Sequence, residues 1–184
     1  AVIQPVLTQF WEKYQALIYG VDVGTVENAL VTVLREKHAT LAIAESCTGG
    51  LVSKRITDIP GASSVFQCGL CTYSNEMKQQ LLQVPEETLA AYGAVSEQTA
   101  AAMAKGARAL AGADIGIGIT GVAGPDGGTE EKPVGLVYIG VSTASGETVK
   151  ELRLNQRYDG TRAYVRGIAA TNALHLALAA ARSL

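Results

Sequence analysis

Histidine and cysteine are scarce in this sequence. Only His38 and His175, and only Cys47, Cys68 and Cys71, occur in 184 residues. Three thiols in odd number make no disulfide framework and fit a reducing compartment. No cluster of His, Cys and carboxylates shows metal-ligand spacing, so no metal and no cofactor are expected. Long hydrophobic runs are missing too. No stretch of about 18 apolar residues offers a membrane span, and no basic segment leading into an apolar run and a small-residue cleavage site opens the chain. A cytoplasmic protein is the expectation. Charge of one sign is also lacking, with 15 Lys and Arg against 17 Asp and Glu. A nucleic-acid partner would call for a basic stripe, and none is expected. What is present is apolar: 48% hydrophobic against 17% charged residues, the balance of a globular chain long enough for one well-filled core.

Residues 4–18 place Val6, Phe10, Trp11, Tyr14, Leu17 and Ile18 at helical spacing. A linker at 19–24 follows, so residues 1–24 read as an N-terminal helix and link, and 25–184 as the main domain. Thr25 caps a helix to about Lys37. From Thr40 strands and helices alternate. Strands are predicted at 41–45, 65–73 and 114–120, and helices at 49–57, 75–84, 86–92 and 96–111. A hairpin over 135–154 turns at Ser145-Gly146, and a last helix runs from Thr161 to Ala181. The glycines in Asp114-Ile-Gly-Ile-Gly-Ile-Thr120 let a neighbour pack close. Alternation followed by a hairpin predicts a three-layer α/β/α domain with a mixed β-sheet.

The strand at 41–45 runs into Glu45-Ser46-Cys47-Thr48-Gly49-Gly50, and a helix begins directly after. Ligands of open α/β sheets gather at such strand ends. Glycines let the backbone approach a ligand, and N–H groups at a helix start favour negative charge. A serine there can attack a carbonyl, or it can simply cap the helix. A serine nucleophile needs a base. His38 precedes the strand, at its wrong end, and His175 shares a face with core leucines in the last helix, as a buried structural histidine would. Ala44, two before Ser46, also breaks the Gly-x-Ser-x-Gly elbow. A Ser-His-Asp triad is therefore not expected.

Lysine is the alternative base. Thr72-Tyr73-Ser74-Asn75-Glu76-Met77-Lys78 puts Tyr73 at a strand's end and Lys78 in the first turn of a helix, where the dipole disfavours the ammonium. A lysine with a lowered pKa acts as a general base, whereas an ordinary surface lysine does not. Cys47 is a rival nucleophile with no histidine beside it.

The segments AESCTGG (44–50), TYSNEMK (72–78), ITGVAGPDGG (119–128) and GTRAYVR (160–166) together resemble the signature blocks of the C-terminal domain of the competence/damage-inducible protein CinA. The resemblance runs from about Thr25 to the C-terminus. It implies an anticodon-binding-domain-like α/β/α fold and hydrolysis of nicotinamide mononucleotide to nicotinate mononucleotide and ammonia. It also implies a serine-lysine mechanism in which Ser46 matches the nucleophile, Lys78 the base and Tyr73 the assisting phenol. Substrate contacts are expected at Glu45, Thr48, Gly49, Gly50, Asn75, Thr120, Gly121, Gly124 and Arg162. The expected partners are a small nucleotide substrate and a second copy of the chain, giving a dimer. Residues 1–24 resemble the tail of a molybdopterin-binding-like domain that precedes this one in longer members. The other reading is a non-catalytic nucleotide-binding module of a larger CinA-type protein.

Three further features bear on these expectations. The loop Thr120-Gly-Val-Ala-Gly124-Pro-Asp-Gly-Gly128 precedes a strand rather than a helix, so it is neither a Walker loop nor a dinucleotide fingerprint, though its amides can form an anion nest. Arg162 and Arg166 share one helix face, and a guanidinium fork suits phosphate. Cys68 and Cys71 lie three apart on a strand and so on opposite faces, which leaves them as buried, inert thiols.

Overall fold

The computed structural model describes residues 3–14, 18–154 and 161–184. Its elements are α1 (Ile3–Tyr14), α2 (Val26–Glu36), β1 (Leu41–Glu45), α3 (Leu51–Thr57), β2 (Phe66–Cys71), α4 (Asn75–Leu82), α5 (Glu86–Tyr92), α6 (Glu97–Ala111), β3 (Ile115–Gly121), β4 (Leu136–Thr143), β5 (Gly146–Arg153) and α7 (Arg162–Ser183), with a short 3-10 turn at Ala62–Ser64. Thr25 caps its helix as predicted, and the Ser74, Ser96 and Thr161 side chains do the same, each accepting from a backbone N–H of the following turn.

One mixed sheet runs in the order β2-β1-β3-β4-β5. β1 pairs in parallel with β2 and β3, and β3, β4 and β5 continue antiparallel. The carboxyl ends of β1, β2 and β3 therefore share one edge of the sheet, the edge where an open α/β sheet binds its ligands. The two faces differ in size of side chain. Leu41, Ile43, Ile115, Ile117, Ile119, Val137 and Ile139 pack with α2, α3 and α7, while Ala42 and Ala44 pack with Met103 and Ala107 of α6. The three layers are as the alternation of elements predicts.

The small face has a specific cause. A Cβ on Gly118 would stand 2.4 Å from the Ala100 carbonyl oxygen and 2.5 Å from the Ala104 nitrogen, and one on Gly140 would stand 2.3 Å from Ala100 O. The backbone of α6 thus lies directly on the strands, which is the close approach the strand glycines predict. Gly118→Ala is expected to cost about 1–3 kcal/mol or more, because backbone cannot give way as a side chain can. Gly167→Ala in α7, where an added Cβ meets nothing within 4 Å, should be neutral or stabilising. Urea midpoints of the two variants, compared at equal m-value, check this.

Several boundaries shift. The helix expected from Gly49 starts at Leu51, since Gly49 and Gly50 take left-handed φ of 58° and 89°. The strand expected to reach Tyr73 ends at Cys71. The helix expected over 4–18 is Ile3–Tyr14, with residues 15–17 outside the described residues. It buries none of its residues, and Val6, Phe10, Trp11 and Tyr14 face out.

Candidate active site

Glu45 closes β1, and its side chain is wholly buried, at 0% exposure. Its carboxylate accepts from Gly50 N (3.0 Å), Val52 N (3.1 Å), Ser53 N (2.9 Å) and Ser53 Oγ (2.7 Å). Glu45 is thus the anion at the start of α3, and it overturns the expectation of open helix N–H groups for substrate. Those donors are spent, and a second anion would be repelled. Glu45 fixes the turn that carries Ser46. Gly49 N and Leu51 N donate inside the turn, to Ser46 O and Thr48 O. Among the described residues the amides of Cys47 and Thr48 are left with no oxygen acceptor, and they lie against the Cys47 sulfur, a weak one.

Ser46 is half-buried, and its N–H donates to Ile119 O at 3.0 Å, which holds it in register with β3. Cys47 is buried, and burial pushes its thiol up to about 11, with the Glu45 charge adding to the rise. A thiol that holds its proton so tightly is a poor nucleophile at neutral pH, so the rival to Ser46 is weakened.

Lys78 is 1% exposed. Burial lowers its pKa below the ordinary lysine value, opposed by the charges of Cys47 and Glu76. Desolvation is thus the leading cause of the lowering. Nζ donates to Thr72 O (3.0 Å), Tyr73 O (3.1 Å) and Ser74 O (3.4 Å). Lys78 makes no ion pair among the described residues. Its three donors go to carbonyls, and no hydrogen bond joins it to Ser46 in this state.

Tyr73 is 62% exposed, and its hydroxyl accepts from Arg162 Nη2 at 3.3 Å. Arg162 Nη1 donates to Gly124 O at 3.0 Å. One guanidinium therefore ties the tyrosine after β2 to the loop after β3, and two of its five donors are used. Arg166, one turn on, donates from Nη2 to Thr48 O at 2.8 Å, while its Nε is buried without a partner among the described residues. Both arginines thus reach the same sheet edge, where the sequence favoured Arg162 over Arg166.

The remaining expected residues divide. Asn75 is exposed at the first position of α4. Thr120 spends its hydroxyl on Ala94 O at 2.6 Å, bracing β3 against the start of α6. Gly121 pairs with Val137 as the last residue of β3. Among the described residues Thr48 Oγ1 and Thr72 Oγ1 are buried without partners, an arrangement that costs roughly 1–3 kcal/mol each when nothing compensates it. Sequence reasoning passed over Thr72, although it stands immediately before Tyr73 at a strand end. Gly160, part of the fourth signature block, lies outside the described residues.

The two thiols of β2 are corrected as well. Cys68 is half-buried and Cys71 exposed, because β2 is an edge strand and nothing covers its outer side among the described residues. His175 is half-buried rather than buried, edge-on to Tyr19 with ring centroids 5.5 Å apart. His38 is exposed at the opposite end of β1. Among the described residues no group of three or more His, Cys, Asp and Glu is placed to hold a metal ion, and no helix is long and apolar enough to cross a membrane.

Fold and site together define a mixed α/β domain that gathers a serine turn, a buried lysine, a tyrosine and two arginines at the carboxyl edge of its parallel strands. The model of the CinA C-terminal domain matches residues 23–181, and the chain belongs to that family. A CinA-like protein of Desulfovibrio desulfuricans is 53% identical over 176 residues, covering 96% of this chain and 41% of that protein. A putative competence-damage inducible protein of Moorella thermoacetica is 54% identical over 147 residues, 79% of this chain and 36% of that one. The chain thus spans about two-fifths of the length of the curated relatives it matches. Among solved structures, the competence/damage inducible protein CihA of Agrobacterium tumefaciens superposes with a TM-score of 0.81 at 36% identity, covering 89% of this chain and 98% of its own. A CinA superfamily protein of Escherichia coli does so at 0.78 and 31%, covering 89% and 95%.

Proposed function

We propose that the domain is an amidohydrolase that converts nicotinamide mononucleotide to nicotinate mononucleotide and ammonia, with Ser46 as nucleophile and Lys78 as base. The observation that carries this reading is Lys78 itself. A lysine that is 1% exposed, unpaired with any carboxylate among the described residues and lowered in pKa by its burial is costly to keep, and such groups concentrate at functional sites. Here it stands at the strand end next to the one that presents Ser46.

In the reaction Ser46 Oγ attacks the carboxamide carbon and its proton passes to Lys78. The amides of Cys47 and Thr48, the two in the turn not spent on an oxygen, stabilise the oxyanion. Ammonia leaves with a proton returned by Lys78, and water then hydrolyses the acyl-serine. Glu45 and Arg166 hold the turn rigid. Tyr73 and Arg162 meet the nucleotide, with the phosphate on the unused donors of Arg162 rather than at α3, where Glu45 would repel it.

The test follows ammonia release from nicotinamide mononucleotide and from the riboside that lacks the 5′-phosphate. A charge-assisted contact is worth roughly 1.5–3 kcal/mol, so the riboside should be about 10- to 150-fold poorer in kcat/KM. Arg162→Ala should cost a similar factor on the mononucleotide and little on the riboside, a strong departure from additivity. Equal penalties on both substrates would remove Arg162 from the phosphate. Tight binding of the mononucleotide without ammonia release would replace the amidase by a nucleotide-binding module.

A further inference from the structure

Thr72 is fully buried at 0% exposure, and its hydroxyl has no hydrogen-bond partner among the described residues. Buried hydroxyls are nearly always paired, so one left open marks a partner that arrives in another state. Its neighbours say which. The carbonyl of the same residue is the shortest acceptor of Lys78 Nζ, at 3.0 Å. On the other side, the parallel ladder of β1 and β2 sets Glu45 opposite Cys71. Ser46 and Thr72 are the next residues along the two chains, each one step past the last pair of the ladder. Thr72 therefore follows the strand that neighbours the one carrying the nucleophile, and it meets the base through its own backbone.

A direct bond between Ser46 Oγ and Lys78 Nζ is absent, because the ammonium's three donors point at the carbonyls of Thr72, Tyr73 and Ser74. A hydroxyl both accepts and donates, which suits it to the gap between an alcohol and an amine. We propose that the Thr72 hydroxyl relays the proton between Ser46 Oγ and Lys78 Nζ, an inference that rests on the serine-lysine reading above. As the bond from Ser46 Oγ to the carboxamide carbon forms, the Ser46 proton moves to Thr72 Oγ1 and the Thr72 proton moves to neutral Lys78. The ammonium so formed directs its new N–H at Thr72 Oγ1 and finds carbonyl acceptors already in place for the other two. On collapse the proton returns by the same path to the amide nitrogen, the C–N bond breaks and ammonia leaves.

The experiment compares the wild type with Thr72→Val and Thr72→Ser. It reads ammonia release from nicotinamide mononucleotide under single turnover, the rate at which a fluorophosphonate labels Ser46 with loss of fluoride, and the thermal midpoint. Thr72→Val should leave the midpoint unchanged or higher, since it removes an unpaired hydroxyl. It should lower both rates about 100-fold, the low end of what proton transfer by a positioned group contributes. Thr72→Ser should restore most of the loss. A proton inventory of the wild-type acylation should curve, because two protons move, and become straight in Thr72→Val.

A Thr72→Val enzyme with wild-type rates overturns the relay. So does a loss that Thr72→Ser fails to restore, or a straight wild-type inventory. If Thr72→Val does not fold, the serine variant and the inventory decide alone. A wild type that is labelled at Ser46 but releases no ammonia sinks the amidase reading and leaves the relay to be judged by labelling. A wild type that does neither sinks both.

Discussion

Ser46→Ala is expected to abolish ammonia release from nicotinamide mononucleotide, by a factor on the order of 10³ or more in kcat, while the chain keeps its fold and its affinity for the nucleotide. The size of the effect follows from the chemistry, since without Oγ no covalent intermediate forms and water must attack unaided. The fold should survive because Ser46 is half-buried and its link to the sheet is a backbone bond, Ser46 N to Ile119 O. Cys47→Ala is the matched control. That thiol is buried and raised to about 11, so its loss should leave kcat within a few-fold of the wild type. Activity that survives Ser46→Ala and disappears with Cys47→Ala would move the nucleophile by one residue and end the serine-lysine scheme. Intact-mass detection of an adduct on the wild type after a rapid quench gives the complementary evidence.

The sequence carried the frame of this site well because its signals are local. Periodicity placed β1 and α6, a serine before Glu97 marked a cap, and the glycines of β3 announced a close neighbour. Each is decided within a few residues, and each is found where expected. What the sequence could not show are pairings set by the turn and by distant elements. Glu45 looked like a residue offered to substrate because it precedes Ser46. Only when Gly49 and Gly50 swing left-handed does the chain fold back and place three amides of α3 on that carboxylate. The reach of Arg166 to Thr48 spans 118 residues, and no periodicity encodes such a contact. The exposure of Cys71 depends on strand order, since β2 could be judged buried until it proved to be the edge.

Lys78 was legible as a candidate but not for the right reason, and the difference matters for what its replacement will do. A helix start alone lowers a lysine's pKa modestly, by at most about 1 kcal/mol at an exposed site. Burial does more, and burial is the leading cause here. Lys78→Met should therefore cut kcat/KM on the order of 10³-fold, within the 10²–10⁴ range of general-base catalysis. It should also erase the acid limb of the pH profile. In the wild type that limb rises with pH as Lys78 gives up its proton, with its midpoint below the ordinary lysine value.

Stability supplies an independent check with a definite sign. Between the lowered pKa of the folded state and the ordinary value of the unfolded chain, the unfolded state binds the extra proton, so wild-type stability must rise with pH across that window. Below it both states are charged, and the full penalty of burying the ammonium is present. Above it both are neutral, and the penalty is gone. Methionine has no such proton, so the stability of wild type minus Lys78→Met should begin to climb where kcat/KM levels off, at the folded-state pKa, and stop climbing near the ordinary lysine value. Urea titrations of both proteins at a series of pH values measure the difference directly, whatever constant offset arises from the carbonyls of Thr72 and Tyr73 losing their donor. A flat difference, or an acid limb that persists in the methionine variant, would show that Lys78 is charged throughout and that the proton of Ser46 goes elsewhere.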